Sequence, residues 1–270
     1  MRFPLRSMAL AAVTLGTMTL AGCGGDTASD DNVVKVGTMA GPETSVMEAA
    51  KKVAKEKYDL DVQIVEFTDY NSPNAALADG SLDANAYQHK PYLENMVNDR
   101  GYDFAIAGNT FVYPIGAYSK KYSDINDIPE GATVALPNDP SNEGRTLILM
   151  DKEGLLTLKD NTNLNATPMD IEKNPHDYQF REIDAAQLPR TLDDVDMAFI
   201  NSTYSQPAGL PLSSALIREG ADSPYVNLIV VRKGDENSEK IKHLVEAYQT
   251  DTVVEKAKEL FQGGAVAGWK

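Results

Sequence analysis

Thr133-Val-Ala-Leu-Pro-Asn-Asp-Pro-Ser-Asn-Glu-Gly-Arg145 reads as a β-strand that runs into a turn and then into a helix. Thr133 to Leu136 is β-branched and apolar, as a buried strand requires. Asn138-Asp139-Pro140 follows with residues that favour turns and helix starts. The pattern predicts a helix from about Asn142 to Lys152. Outward from this unit the alternation repeats. Val33 to Val36 reads as a strand, and Ser45-Val-Met-Glu48 has capping-box spacing ahead of Val46, Ala50 and Val53 at helical intervals. Asp61 to Phe67 alternates as a strand, Ser72-Pro73 opens a short helix that ends at Gly80, and Pro91 to Arg100 is a helix closed by Gly101. Phe104 to Ile106, Phe111 to Tyr118, Met197 to Ile200 and Val226 to Val231 read as strands, and Ser238 to Phe261 as one amphipathic helix. Alternating strand and helix predicts α/β layers with largely parallel sheets. Leu82-Asp-Ala-Asn-Ala-Tyr87 and Val195-Asp-Met-Ala-Phe-Ile200 echo one another weakly and suggest two similar lobes. Ligands of open α/β sheets sit beyond the carboxyl ends of strands, so two facing lobes predict a cleft between them.

The remaining sequence narrows the class of protein. With 25 Lys+Arg against 40 Asp+Glu the chain carries a net charge of −15 over 270 residues. That excess argues against nucleic acid and against peripheral binding to anionic lipid, both of which need a basic face. Arg2 and Arg6 precede an uncharged run from Met8 to Leu20, too short for a bilayer span of ~20 residues but suited to a secretory signal. Leu20-Ala-Gly-Cys23 then resembles a bacterial lipobox, and Cys23 is the one cysteine of the chain. The expectation is a signal peptide over 1–22, lipidation of Cys23, and a polar tether over 23–32 that holds the fold near a membrane outside the cytoplasm. Two or three acyl chains, each buried CH₂ contributing ~0.8 kcal/mol, make a stable anchor.

Catalytic signatures are missing: there is no G-x-S-x-G, H-E-x-x-H or Walker A loop. No cofactor or metal is expected, and no catalytic residue. A set suited to a small zwitterion stands out instead. Arg145 lies near a helix start, where free N–H groups, the helix dipole and a guanidinium all favour a carboxylate. As a helix-start residue in a solvent-filled cleft it is expected to add little to the core. Phe67, Tyr70, Tyr87 and Tyr92 gather around two strand ends, with His89 between them, and Asn201 and Asn227 follow or interrupt apolar strands. Each residue type also has an ordinary structural role, as surface ion-pair partner, core aromatic or loop cap.

Taken together, several segments resemble the NlpA family of lipoproteins. They include Ile64-Val-Glu-Phe-Thr-Asp-Tyr70, Asp83-Ala-Asn-Ala-Tyr-Gln-His-Lys-Pro-Tyr92, Asn142-Glu-Gly-Arg145, Ile200-Asn-Ser-Thr-Tyr204 and Ser223-Pro-Tyr-Val-Asn-Leu-Ile229. The resemblance spans essentially the whole chain after Cys23. It implies a two-lobed, type II periplasmic-binding-protein fold with lobe 1 over 33–113 and 229–270 and lobe 2 over 114–228. It implies capture of methionine for an ABC importer, with a permease and its ATPase subunit as partners. Arg145 is then expected to take the ligand carboxylate, Asn201 and Asn227 the polar end, and Phe67, Tyr70, Tyr87, His89 and Tyr92 the side chain. Tyr87 stands where relatives are also expected to carry Phe, and its phenol changes the polarity of the pocket. A methionine-containing dipeptide, another apolar amino acid, or a surface-interaction role are the alternatives, and an exported hydrolase the more distant one.

Overall fold

The strand that opens at Val33 runs to Met39 (β1) and turns into a helix with Pro at its start, Pro42–Tyr58 (α1). A computed structural model describes residues 32–220, 223–262 and 264–270. The signal segment, Cys23 and nearly all of the tether lie outside the described residues. After α1 come Asp61–Phe67 (β2), Ser72–Ala78 (α2), Ala84–His89 (β3), Lys90–Arg100 (α3), Phe104–Val112 (β4) and Ile115–Tyr118 (β5). Thr133–Pro137 (β6) then leads into Pro140–Lys152 (α4). Asp139 caps α4, its side chain accepting from the Asn142 N–H. Thr157–Leu158 (β7), Ile171–Lys173 (β8), Gln179–Ile183 (β9), Leu188–Thr191 (α5), Met197–Asn201 (β10), Ser202–Ser205 (α6) and Ile217–Arg218 (β11) follow. Val226–Arg232 (β12), Glu239–Tyr248 (α7), Asp251–Leu260 (α8) and Val266–Ala267 (β13) complete the chain.

Two large sheets form, each with its own core, beside a two-stranded pairing of β7 with β8. The first has the order β13-β4-β12-β3-β1-β2 and the second β11-β5-β10-β6-β9. Val36, Met47, Val62, Ile229 and Leu244 are fully buried between the first sheet and α1, α7 and α8. Val134, Leu136, Leu147, Met150 and Phe199 do the same for the second lobe. The expectation of largely parallel sheets is corrected. β2, β1 and β3 run together, but β12 lies antiparallel between β3 and β4, and β5 lies antiparallel beside β10. The reason is connectivity. A strand that enters a sheet from the other lobe starts at the cleft, whereas its neighbours end there.

The echo between Leu82–Tyr87 and Val195–Ile200 has a structural basis. β3 and β10 each sit between one parallel partner and the antiparallel crossing strand. The aspartate before each strand makes the same pair of bonds. Asp83 N–H donates to Lys35 C=O (2.8 Å) while Lys35 N–H donates to the Asp83 carboxylate (2.8 Å). Asp196 and Thr133 repeat this at 3.0 and 2.9 Å.

Candidate functional site

The carboxyl ends of β3 and β10, the first turns of α4 and the starts of the crossing strands converge on one small cavity. Its lining includes Tyr70, Tyr87, His89, Tyr92, Arg145, Asn201 and Asn227, so seven of the eight residues singled out from the sequence meet there. Phe67 does not line it. Its ring packs behind Tyr87 and Tyr92, and also against the cluster of Leu77, Leu82 and Val230. Gln88, Tyr113, Asn142, Ser202 and Thr203 line the cavity without having been singled out. Asn142 carried a usable signal, since it precedes Arg145 by three residues and so shares its helix face.

One side of the cavity is aromatic. Tyr70, Tyr87 and Tyr92 have ring centroids 6.0 to 6.1 Å apart, tilted or edge-on. The phenols of Tyr87 and Tyr92 both donate to the carbonyl of Tyr70, each at 2.9 Å. The Tyr87 hydroxyl is thus consumed by the wall, and the ring is what a ligand meets. Such edges and faces suit an apolar or thioether side chain.

The opposite side is polar. His89 caps α3, its Nδ1 accepting from the Tyr92 N–H at 3.2 Å. Nε2 therefore carries the hydrogen and donates to Asn142 Oδ1 at 3.2 Å. Burial, with the nearby Arg145 charge second, pushes His89 down to about 3, so the ring is neutral. With both nitrogens engaged it offers no lone pair as a general base. Asn142 Oδ1 also accepts from Asn201 Nδ2 (2.9 Å), and Asn142 Nδ2 donates to Asp139 (2.9 and 3.0 Å). This network leaves Asn201 Oδ1 buried without a partner. Asn227 Nδ2 donates to Tyr87 C=O at 2.9 Å, which fixes the amide at the cavity. A buried acceptor without a donor is costly, and a ligand ammonium would supply one.

Arg145 differs from its expected setting. It is 3% exposed and paired with Glu219, which is 13% exposed. Its Nε–H donates to the Glu219 carboxylate (3.1 and 3.2 Å) and an Nη2–H donates to Tyr113 C=O at 3.0 Å. The Tyr225 ring lies 4.5 Å from the guanidinium carbon. The expectation that this arginine adds little to the fold is thus corrected, because removing one side of a buried pair leaves the other uncompensated. Among the described residues no group of three or more His, Cys, Asp or Glu side chains could hold a metal ion.

An apolar wall facing amide oxygens and a guanidinium is complementary to an α-amino acid with an apolar side chain. Comparisons with known proteins agree. The family model described as NlpA lipoprotein matches residues 34–269. A protein of Vibrio cholerae named "Probable D-methionine-binding lipoprotein MetQ" is 52% identical over 270 residues, all of both chains. Among solved structures, "Crystal Structure of the Methionine Binding Protein, MetQ" is similar with a TM-score of 0.87 and 49% identity, covering 89% of this chain and 100% of that one. A nutrient binding protein from Burkholderia cenocepacia, solved bound to methionine, gives a TM-score of 0.85 and 49% identity over 87% of this chain and 100% of its own.

Proposed function

The chain belongs to the NlpA lipoprotein family, and we propose that within it this protein is the substrate-binding lipoprotein of a methionine ABC importer. It captures methionine in the cavity between the lobes and hands it to a membrane permease served by an ATPase subunit. The carrying observation is the division of the cavity: Arg145 and the open Asn201 oxygen on one side, and on the other three tyrosine rings, of which Tyr87 and Tyr92 have their hydroxyls bonded into the wall. Arg145 takes the ligand carboxylate, Asn201 and Asn227 take the ammonium, and Tyr70, Tyr87 and Tyr92 enclose the thioether side chain, with His89 edge-on to Tyr92 where the polar and aromatic sides meet and Phe67 as support behind the rings. The lobes in this reading are 33–113 with 229–270, and 114–228. Membership of the two sheets supports the division, with β12 beginning three residues ahead of the second boundary. Lipid on Cys23 tethers the domain to the bacterial envelope, outside the cytoplasm. Among the described residues no helix is long and apolar enough to cross a membrane.

Mass spectrometry of small molecules released by denaturing the purified protein tests the ligand, followed by calorimetric titration with D- and L-methionine. Methionine is the expected species. Release of a dipeptide or a different amino acid, with no heat from either enantiomer, would overturn the reading. Arg145→Met should weaken binding by about a hundredfold to a few thousandfold. Losing one partner of a buried pair costs roughly 3–5 kcal/mol, and each ~1.4 kcal/mol is tenfold.

A further inference from the structure

Arg145 turns only part of its guanidinium to the cavity. Nε and Nη2 are committed to the Glu219 carboxylate and to Tyr113 C=O, and Nη1 has no partner among the described residues. Glu219 follows β11 and is itself fixed. Its N–H donates to Ile115 C=O at 3.0 Å, and Ser223 Oγ–H donates to its carboxylate at 2.8 Å. The positive charge that a carboxylate ligand meets is therefore already balanced from behind by a buried anion.

We propose that Glu219 is a specificity-determining residue: by cancelling the Arg145 charge it makes the pocket accept a net-neutral zwitterion and reject the same molecule as a net anion. The proposal rests on the amino-acid reading of the cavity given above. A carboxylate bound to a lone arginine would be compensated. Bound to an Arg–Glu pair it leaves one negative charge over, which the ligand's own ammonium must balance. The other ionisable groups at the polar side do not make up the difference. His89 is neutral, and Asp139, which holds Asn142, lies on the acidic side of the balance. Charges a few ångströms apart in a buried site interact strongly enough to move affinity by an order of magnitude.

The test compares methionine with its α-hydroxy analogue, in which a hydroxyl replaces the ammonium and the net charge becomes −1. Calorimetric titration of the ligand-freed parent should show the analogue more than about thirtyfold weaker, and a smaller gap overturns the proposal. Glu219→Gln should shrink that ratio by about tenfold, whatever happens to the absolute affinities. Glu219→Asp, which keeps the charge and changes the fit, should leave the ratio within about threefold of the parent. A Glu219→Gln ratio equal to the parent's, with methionine still bound, assigns Glu219 to packing alone and overturns the inference. A parent that binds neither compound overturns the methionine reading instead, and this inference with it.

Discussion

At Glu43, in the first turn of α1, burial outweighs the one hydrogen bond the side chain receives. Thr203 Oγ1–H donates to Oε1 from the other lobe at 2.6 Å, and Oε2 is buried without a partner. Burial pushes this carboxyl up to about 8, the Thr203 bond pulling the other way. The fold thus holds a proton that an unfolded chain releases from its ordinary value of 4.5 upward. Stability is full below that value and is lost as pH rises toward about 8, by at most ~1.4 kcal/mol per pH unit. His89 has the opposite sign and a lower window: its pKa of about 3 costs stability as pH falls below its ordinary 6.5. Between about pH 6.5 and 8 the Glu43 contribution is therefore separable from that of His89. Urea unfolding across this range should show a shallower decline for Glu43→Gln than for the parent. Equal slopes would mean that the carboxyl is already ionised in the fold. Neither Glu43 nor Glu219 was legible as part of the site, since their partners lie 160 and 74 residues away and nothing local marks them. Phe67 illustrates the converse. An aromatic at a strand end is visible in sequence, but whether its ring turns to the cleft or to the core depends on neighbours from β1 and β3. Here the absent side chain of Gly37 leaves room for the Phe67 ring against Leu82.

Among the elements, α4 does most to place the site, because it carries both Asn142 and Arg145. Between them stands Gly144, and a Cβ there would lie 2.4 Å from the Leu164 carbonyl oxygen and 2.8 Å from the Ala166 nitrogen. Glycine inside a helix ordinarily costs about 1 kcal/mol relative to alanine. Here the sign should reverse, because the clash is with backbone and overpacking costs ~1–3 kcal/mol. Gly144→Ala should lower the melting temperature and, by tilting α4, weaken ligand binding as well. An unchanged or higher melting temperature would show that the loop at Leu164 yields freely. The start of α4 was readable because Asp139-Pro140 marks it locally. The break between α7 and α8 was not. The apolar stripe runs through Gln249-Thr250 without a Gly or Pro, so the chain reads as one helix from Ser238 to Phe261, yet it restarts with Thr250 at the cap of α8. Similarly, Phe111 to Tyr118 reads as one strand, whereas Tyr113-Pro114 separates β4 from β5. Proline cannot donate to a ladder, and here that interruption coincides with passage from one sheet to the other. The short strands β7, β8 and β11 have too few residues to show any period.

For the whole molecule, the two lobes touch around the cavity through His89–Asn142, Glu43–Thr203, Asn95–Asn165 and the Tyr70–Tyr204 ring contact at 5.0 Å. A ligand that bonds to both sides binds this closed arrangement better than an open one, and that difference shifts the population toward closure. Small-angle scattering should show a smaller radius of gyration when methionine is added to ligand-freed protein. A radius that does not change while calorimetry confirms binding would mean the free protein is already closed. The place of β12 in its sheet has a further consequence for how the molecule comes into being. A chain made, or threaded through a membrane, from its N-terminus delivers every strand of the second sheet, residues 115–218, as one continuous stretch. The first sheet has to wait. Its strand from Val226 to Arg232 separates β3 from β4, so until that late segment emerges the earlier strands exist as two unjoined pieces with unpaired backbone edges open. The inserted lobe can mature first, while the first sheet stays incomplete until the segment from Val226 onward has arrived.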